Sequence, residues 1–283
     1  MNNPETKFVR LMDKIEKVAE IELATKLSIY LETIDWILEF IPNIVELSKT
    51  KENTKACLLQ HMLLKQGLNS LRATSLLILK GYTSQAATVA SGLFEIRLYS
   101  NFILDNEERA ETFLNHDNSQ EFVWRPKKMI KEEAVLNLIG KEFSQEELLH
   151  HIETISISYT FLCSLKHSNP IPLRHTVGAK DKILGYEYSD SGYPLISLPD
   201  TREEDLSTKA TILTISLNSI FFIARNTAIT IYSDEDQYQK WAEQLISKWN
   251  DLKDKVRLSD YGIIPFPTIK KAAAHRITQD SRN

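Results

Sequence analysis

Tyr159, Cys163 and His167 recur at intervals of four residues in the stretch TISISYTFLCSLKHSNP. That spacing sets a phenol, a thiol and an imidazole along one side of a helix. His167 falls at the C-terminal end of that helix, where the dipole favours its charged form, so it is placed for general acid–base work near neutral pH. Such work needs a carboxylate partner, and Glu95 is the candidate. Arg72 lies nine residues before Gly81, and Glu95 lies eleven after Ser84. At about 1.5 Å per residue both sit roughly 13–16 Å from the bend of a helical hairpin. An Arg72–Glu95 ion pair across the hairpin is therefore expected. Arg225, deep in an apolar run and followed by Asn226, also needs an acidic or backbone partner, and Glu95, Glu39 and Asp35 are the carboxylates on offer. The same charges could instead pin the register of two apolar helices, with His167 capping its own helix.

The elements that position these residues are helices. From Thr54 the residues Cys57, Leu58, Met62, Leu64, Leu68, Leu71, Leu76 and Leu79 recur at helical spacing. Gly81 suits a left-handed residue after the helix end, and Ser84 suits the N-cap of a second helix carrying Ala86, Ala87, Val89, Ala90, Leu93, Phe94 and Leu98. Before this hairpin, one amphipathic helix spans about 5–24 (Phe8, Leu11, Met12, Ile15, Val18, Ala19), and another spans about 26–48, with Pro42 expected to kink it. Asp105 reads as the N-cap of a short helix with Glu107 and Glu108 in its first turn, and residues 117–128 read as a loop with a basic cluster of Arg125, Lys127, Lys128 and Lys131. Ser144 and Glu147 form a capping box that opens the helix bearing Tyr159. Two further helices follow, from about Glu203 to Ser233 and from Asp234 or Asp236 along the stripe Trp241, Leu245, Trp249, Leu252 and Val256.

Between them, prolines and glycines break residues 168–200, where Lys182–Tyr188 and Tyr193–Leu198 flank Ser189-Asp190-Ser191-Gly192 as a β-hairpin would. The expected architecture is all-α: a multi-helix bundle with a central antiparallel hairpin, forming one domain over residues 1–262. Residues 168–200 are an insertion, and residues 263–283 a mildly basic tail.

Of 283 residues, 42% are hydrophobic and 25% charged, ordinary proportions for a soluble globular chain. A net charge of −4 gives no global attraction to DNA or an anionic membrane. Cys57 and Cys163 both fall in apolar helical patterns, and MNNPETKFVR has no apolar signal region, so a reducing cytoplasm is expected. Residues 210–224 are uncharged but shorter than the ~20 residues that span a bilayer, which points to a core helix. No motif calls for a cofactor or a metal: there is no Cys-x-x-Cys, no His-Glu-x-x-His and no Gly-rich phosphate loop, and Glu147-x-x-His150 stands without the duplicate a di-iron bundle needs.

Arg72, Gly81, Gly92-Leu93-Phe94-Glu95 and Glu108-Arg109-Ala110-x-x-Phe113-Leu114 together resemble an uncharacterised family of bacterial helical proteins. In that family a Tyr-x-x-x-Ser-x-x-x-His-x-Pro stretch follows, and Cys163 stands where its serine would be. The resemblance covers about residues 54–170 and implies an all-helical fold with Arg72, Glu95 and His167 linked, without implying a reaction. Arg109 and His116, with six residues between them, are distantly similar to the signature of the HEPN bundles, several of which are ribonucleases of toxin–antitoxin and phage-defence systems.

Two readings follow. In one, the chain is a non-catalytic interaction or sensor module of such a system, meeting a protein partner or a second copy of itself. In the other, it is a HEPN-like, metal-independent ribonuclease using His167 with Arg72 and Glu95, assisted by Tyr159 or Arg225. Tyr186, Tyr188 and Tyr193, among Arg174, His175, Lys180 and Lys182, could stack on a single-stranded RNA.

Overall fold

A computed structural model describes residues 4–47, 54–117, 122–138, 142–166, 199–201, 203–231 and 235–257. Among them are nine helices and no strand: α1 (Pro4–Lys26), α2 (Ser28–Leu47), α3 (Lys55–Leu79), α4 (Thr83–Ile103), α5 (Glu107–Leu114), α6 (Pro126–Leu136), α7 (Gln145–Lys166), α8 (Glu203–Ile231) and α9 (Glu235–Arg257). The chain is all-α, as expected. The β-hairpin expected within 182–198, nearly all of the insertion and the basic tail lie outside the described residues.

The centre is a three-helix packing of α3, α4 and α8. Helix α8 is apolar nearly all round, and Ala210, Ile212, Leu213, Leu217, Ile220, Ile223, Ala224 and Ala228 are fully buried. Its hydroxyls are satisfied one turn back: Thr211, Thr214, Ser216, Ser219, Thr227 and Thr230 each donate to a carbonyl four residues earlier. By length and composition the stretch Asp205–Ile231 could cross a membrane, and 67% of its apolar window is buried against the other helices. Gly67 of α3 lets α8 come close, since a Cβ there would stand 3.0 Å from Ile220 Cδ1 and 3.2 Å from Ile223 Cδ1. Helices α6 and α7 lie on α4, α5 bridges α3 and α4, and α2 and α9 pack against α8.

The turns follow the local chemistry, with small corrections. Thr54 caps α3 by accepting from Cys57 N at 3.1 Å, and Glu107 of α5 adds a second cap, accepting from Ala56 N at 2.9 Å and Lys55 N at 3.1 Å. The Ala56 N–H, more than any other neighbour, holds the Glu107 carboxyl below its ordinary pKa. Gly81 takes the left-handed conformation at φ +76°, and a Cβ there would also strike Asp200 N at 2.5 Å, where the chain entering α8 docks on the turn. Ser84 is not the cap of α4. The helix begins at Thr83 without a side-chain cap, and Ser84 Oγ donates instead to Leu165 O of α7 at 3.0 Å. Asn106 caps α5 in place of Asp105, which adopts a φ of 50°. The capping box of α7 forms, with Ser144 N donating to Glu147 Oε2 at 2.7 Å and Glu147 N to Ser144 Oγ at 3.1 Å. Pro42 lies within α2, which continues past it.

Helix α6 is the main surprise. The basic stretch read as a loop opens a helix with Pro126 at its start, and that helix carries a buried carboxylate, Glu133. On α3, Leu58, Met62 and Leu76 face outward instead of joining the core, as does Val18 on α1.

Candidate functional site

The structure separates Arg72 from Glu95. Arg72 is exposed, and the expected ion pair does not form. Height along the helix was matched but rotation was not: α3 buries Leu64, Gly67, Leu71, Thr74, Ser75 and Ile78, and Arg72 stands about 100° round from Leu71. Arg225 meets none of its expected carboxylates either, and Asp35 and Glu39 are exposed on α2. His167 lies outside the described residues.

Two of the expected residues do meet. The Tyr159 hydroxyl on α7 donates to Glu95 Oε1 on α4 at 2.8 Å, with the Tyr159 ring stacked on Phe94 at 5.6 Å and the buried Cys163 one turn further along. Burial first, then the neighbouring Cys163 and Glu95, push the Tyr159 phenol well above its ordinary value of 10.0. A folded-state pKa above the unfolded one gives stability that is complete below the unfolded value and is lost as pH rises past it. Tyr159→Phe should therefore cost roughly 1–2 kcal/mol near pH 7, with the gap from the parent protein closing above about pH 10 in urea-unfolding midpoints. A gap independent of pH would show that the hydroxyl contributes nothing through this bond.

The larger polar assembly was not anticipated, and it runs through the middle of the bundle. Gln60 of α3 donates to the Ser100 carbonyl at 2.8 Å and accepts from the Ser100 hydroxyl at 2.8 Å. The Asn226 amide of α8 donates to Ser100 Oγ at 3.1 Å and to Asn101 Oδ1 at 2.7 Å, and Asn101 donates onward to Glu133 Oε2 of α6 at 2.6 Å. The other oxygen of Glu133 takes Arg97 Nη2 in an ion pair, and Arg97 Nη1 donates to Asn218 Oδ1 of α8 at 2.9 Å. Gln60, Ser100, Asn101, Glu133, Arg97 and Asn226 are all buried. The chain of bonds thus ties α3, α4, α6 and α8 together, with Arg97 Nε left as a buried donor that has no acceptor among the described residues.

The sequence did carry a signal for it. Arg97 and Asn101 sit four apart on α4, and Asn218 and Asn226 eight apart on α8. Each pair repeats on one face of an otherwise apolar helix.

At one edge this network opens onto a cavity of about 220 Å³ between α8 and α9, walled by Phe221, Phe222, Tyr238, Trp241, Leu245 and Trp249, with Ile246 exposed at its rim. Arg225 and Asn218 supply polar atoms to the wall. Arg225 Nε and Nη2 donate to Asn226 Oδ1 at 3.3 and 3.1 Å, and its guanidinium lies 4.8 Å from the Phe222 ring centroid. Arg97 lies over the same ring at 4.0 Å. Two guanidiniums therefore flank one phenyl ring, and among the described residues Glu133 is the carboxylate close to them, ion-paired with Arg97. Burial, despite the favourable fields of Tyr238 and Glu133, lowers the Arg225 pKa.

Two other clusters are structural. Lys209 is fully buried on α8 and donates to Asp205 Oδ2 at 2.6 Å, while Thr83 Oγ1 donates to the same oxygen at 2.9 Å. Cys57 and His61 form a thiol–imidazole pair with Sγ 3.7 Å from Nδ1, but that nitrogen lies 2.8 Å from the Cys57 carbonyl. A carbonyl only accepts, so Nδ1 carries the proton and cannot take one from the thiol. Arg109 of the HEPN-like pattern donates to the Phe102 carbonyl at 2.7 Å and pairs with Glu132, fastening α5 to α4 and α6. No family model, curated protein or solved structure matches the chain.

Proposed function

We propose that this chain is a non-catalytic binding module that senses a ligand in the α8–α9 cavity. The observation that carries this reading is Arg225, a charged donor at the wall of an aromatic cavity, whose hydrogen bonds among the described residues go to the neutral Asn226. Binding fits such a wall better than turnover. An arginine holds its proton at any physiological pH and offers no lone pair, so it can orient a ligand without acting on it as a base. The carboxylates that could act as bases are committed elsewhere: Glu133 to Arg97 and Asn101, and Glu95 to Tyr159.

The test follows the indole N–H resonances of Trp241 and Trp249, which line the cavity, during titration with 2-naphthamide, a neutral aromatic of suitable size. Both should shift saturably. Ala242→Phe, which fills the same wall, should abolish the shift without unfolding the protein. Unmoved resonances, or shifts that survive Ala242→Phe, would discard the reading.

One observation favours a second reading, a ribonuclease built on His167: the Tyr159–Glu95 bond on the helix that leads to it. On that reading His167→Ala abolishes RNA cleavage while the melting temperature holds, and Arg72, facing solvent on α3, takes no part.

A further inference from the structure

Three polar groups of the cavity wall, on Arg225, Asn218 and Trp241, share one property, which narrows the ligand. Arg225 Nη1 has no bond among the described residues. Asn218 must turn its Oδ1 to Arg97, because a guanidinium only donates, and its amide N–H groups have no acceptor among the described residues. The indole N–H of Trp241, in the same wall, is buried and also lacks an acceptor among the described residues. The wall thus presents donors without a protein acceptor among the described residues in an aromatic lining, beside the Arg97 guanidinium that already holds Glu133.

We infer that the cavity takes a small organic carboxylate with a flat apolar body, its carboxylate held by Arg225 and Asn218 and its ring by Phe221, Phe222, Trp241 and Trp249. This rests on the binding-module reading and adds the chemical class of the ligand. Charge and shape both favour it. A carboxylate is the acceptor-only group that a guanidinium fork matches, and bonds of this kind are about twice as strong as neutral ones. The lowered pKa of Arg225 is relieved when an anion arrives beside it. At an interior packing density of about 0.74, a 220 Å³ cavity holds ~160 Å³ of ligand, on the order of a dozen heavy atoms. A nucleotide or a long acyl chain would not be enclosed by it. A wider depression of about 750 Å³ between α2 and α9 is a poorer candidate, because Lys240, Lys248, Glu243 and Asp251 on it mix both signs of charge.

The experiment compares 2-naphthoate, 2-naphthamide and 2-naphthylmethylammonium on the full chain, by calorimetry and by the Trp241 and Trp249 resonances. The carboxylate should bind at least about tenfold tighter than the amide, and the cation should not bind measurably. Arg225→Gln should erase the preference for the carboxylate while retaining amide binding. Arg225→Lys, which keeps the charge without the planar fork, should keep part of the preference. Equal affinity for amide and carboxylate, or a preference that persists in Arg225→Gln, overturns the carboxylate assignment and leaves the cavity reading standing. Failure of every compound to move the indole resonances overturns both.

Discussion

Glu133→Ala should destabilise the protein by about 3–5 kcal/mol, lowering the melting temperature by roughly 5–8 °C. Glu133 is 1% exposed and satisfies two donors, Arg97 Nη2 and Asn101 Nδ2. Its removal leaves the 6%-exposed Arg97 with an uncompensated charge and opens the bond chain between α4, α6 and α8. Arg97→Met should cost less. In an isolated buried pair either deletion strands a charge, but here Arg225 lies within reach of Glu133's field and shares the Phe222 ring with Arg97. The carboxylate left by Arg97→Met still faces one guanidinium, whereas the two guanidiniums left by Glu133→Ala face no carboxylate among the described residues. The double variant Arg97→Met, Glu133→Leu should recover much of the loss, because apolar groups of similar volume commonly replace a buried pair at little cost. Chemical unfolding of the three variants reads this directly. Equal costs for Arg97→Met and Glu133→Ala would show that Arg225 does not share the carboxylate.

The same geometry explains what could be read from the chain and what could not. Helices α3 and α4 were legible because apolar periodicity and a glycine in the left-handed region act locally. The partner of each interior charge was not legible, because it depends on rotation about helix axes as well as height along them. Glu95 and Arg97 are two residues apart, so they project about 200° apart: one meets Tyr159 on α7 and the other meets Glu133 on α6. Glu95 therefore points away from the buried network. Arg225 is half-buried and Asn226 fully buried on α8, but Asn226 reaches Ser100 and Asn101, and no carboxylate of α2 meets either among the described contacts. Glu133 was hidden for another reason. Its helix opens on a basic, proline-containing stretch with the composition of a loop, and the residue becomes a core carboxylate only because Arg97 and Asn101 lie opposite it.

A comparable loss is expected far from the cavity, and it separates stability from binding. Lys209 is fully buried and Asp205 is 4% exposed, with Thr83 also donating to the carboxylate from the start of α4. Asp205→Ala should cost about 3–5 kcal/mol, since an ammonium deprived of its counter-charge in a packed interior has few ways to be solvated. The pair Asp205→Leu, Lys209→Met should restore most of that stability. Residues 205 and 225 are twenty apart on one continuous helix, roughly 30 Å along its axis. At that distance the effects of variants usually add. Asp205→Ala should therefore lower the unfolding midpoint while leaving the affinity for 2-naphthoate unchanged at temperatures where the variant is folded, whereas Arg225→Gln should change affinity with little effect on the midpoint. If Asp205→Ala weakened binding as much as it weakened folding, α8 would be transmitting strain from one polar cluster to the other, and the cavity would be a property of the whole bundle instead of the side chains that line it.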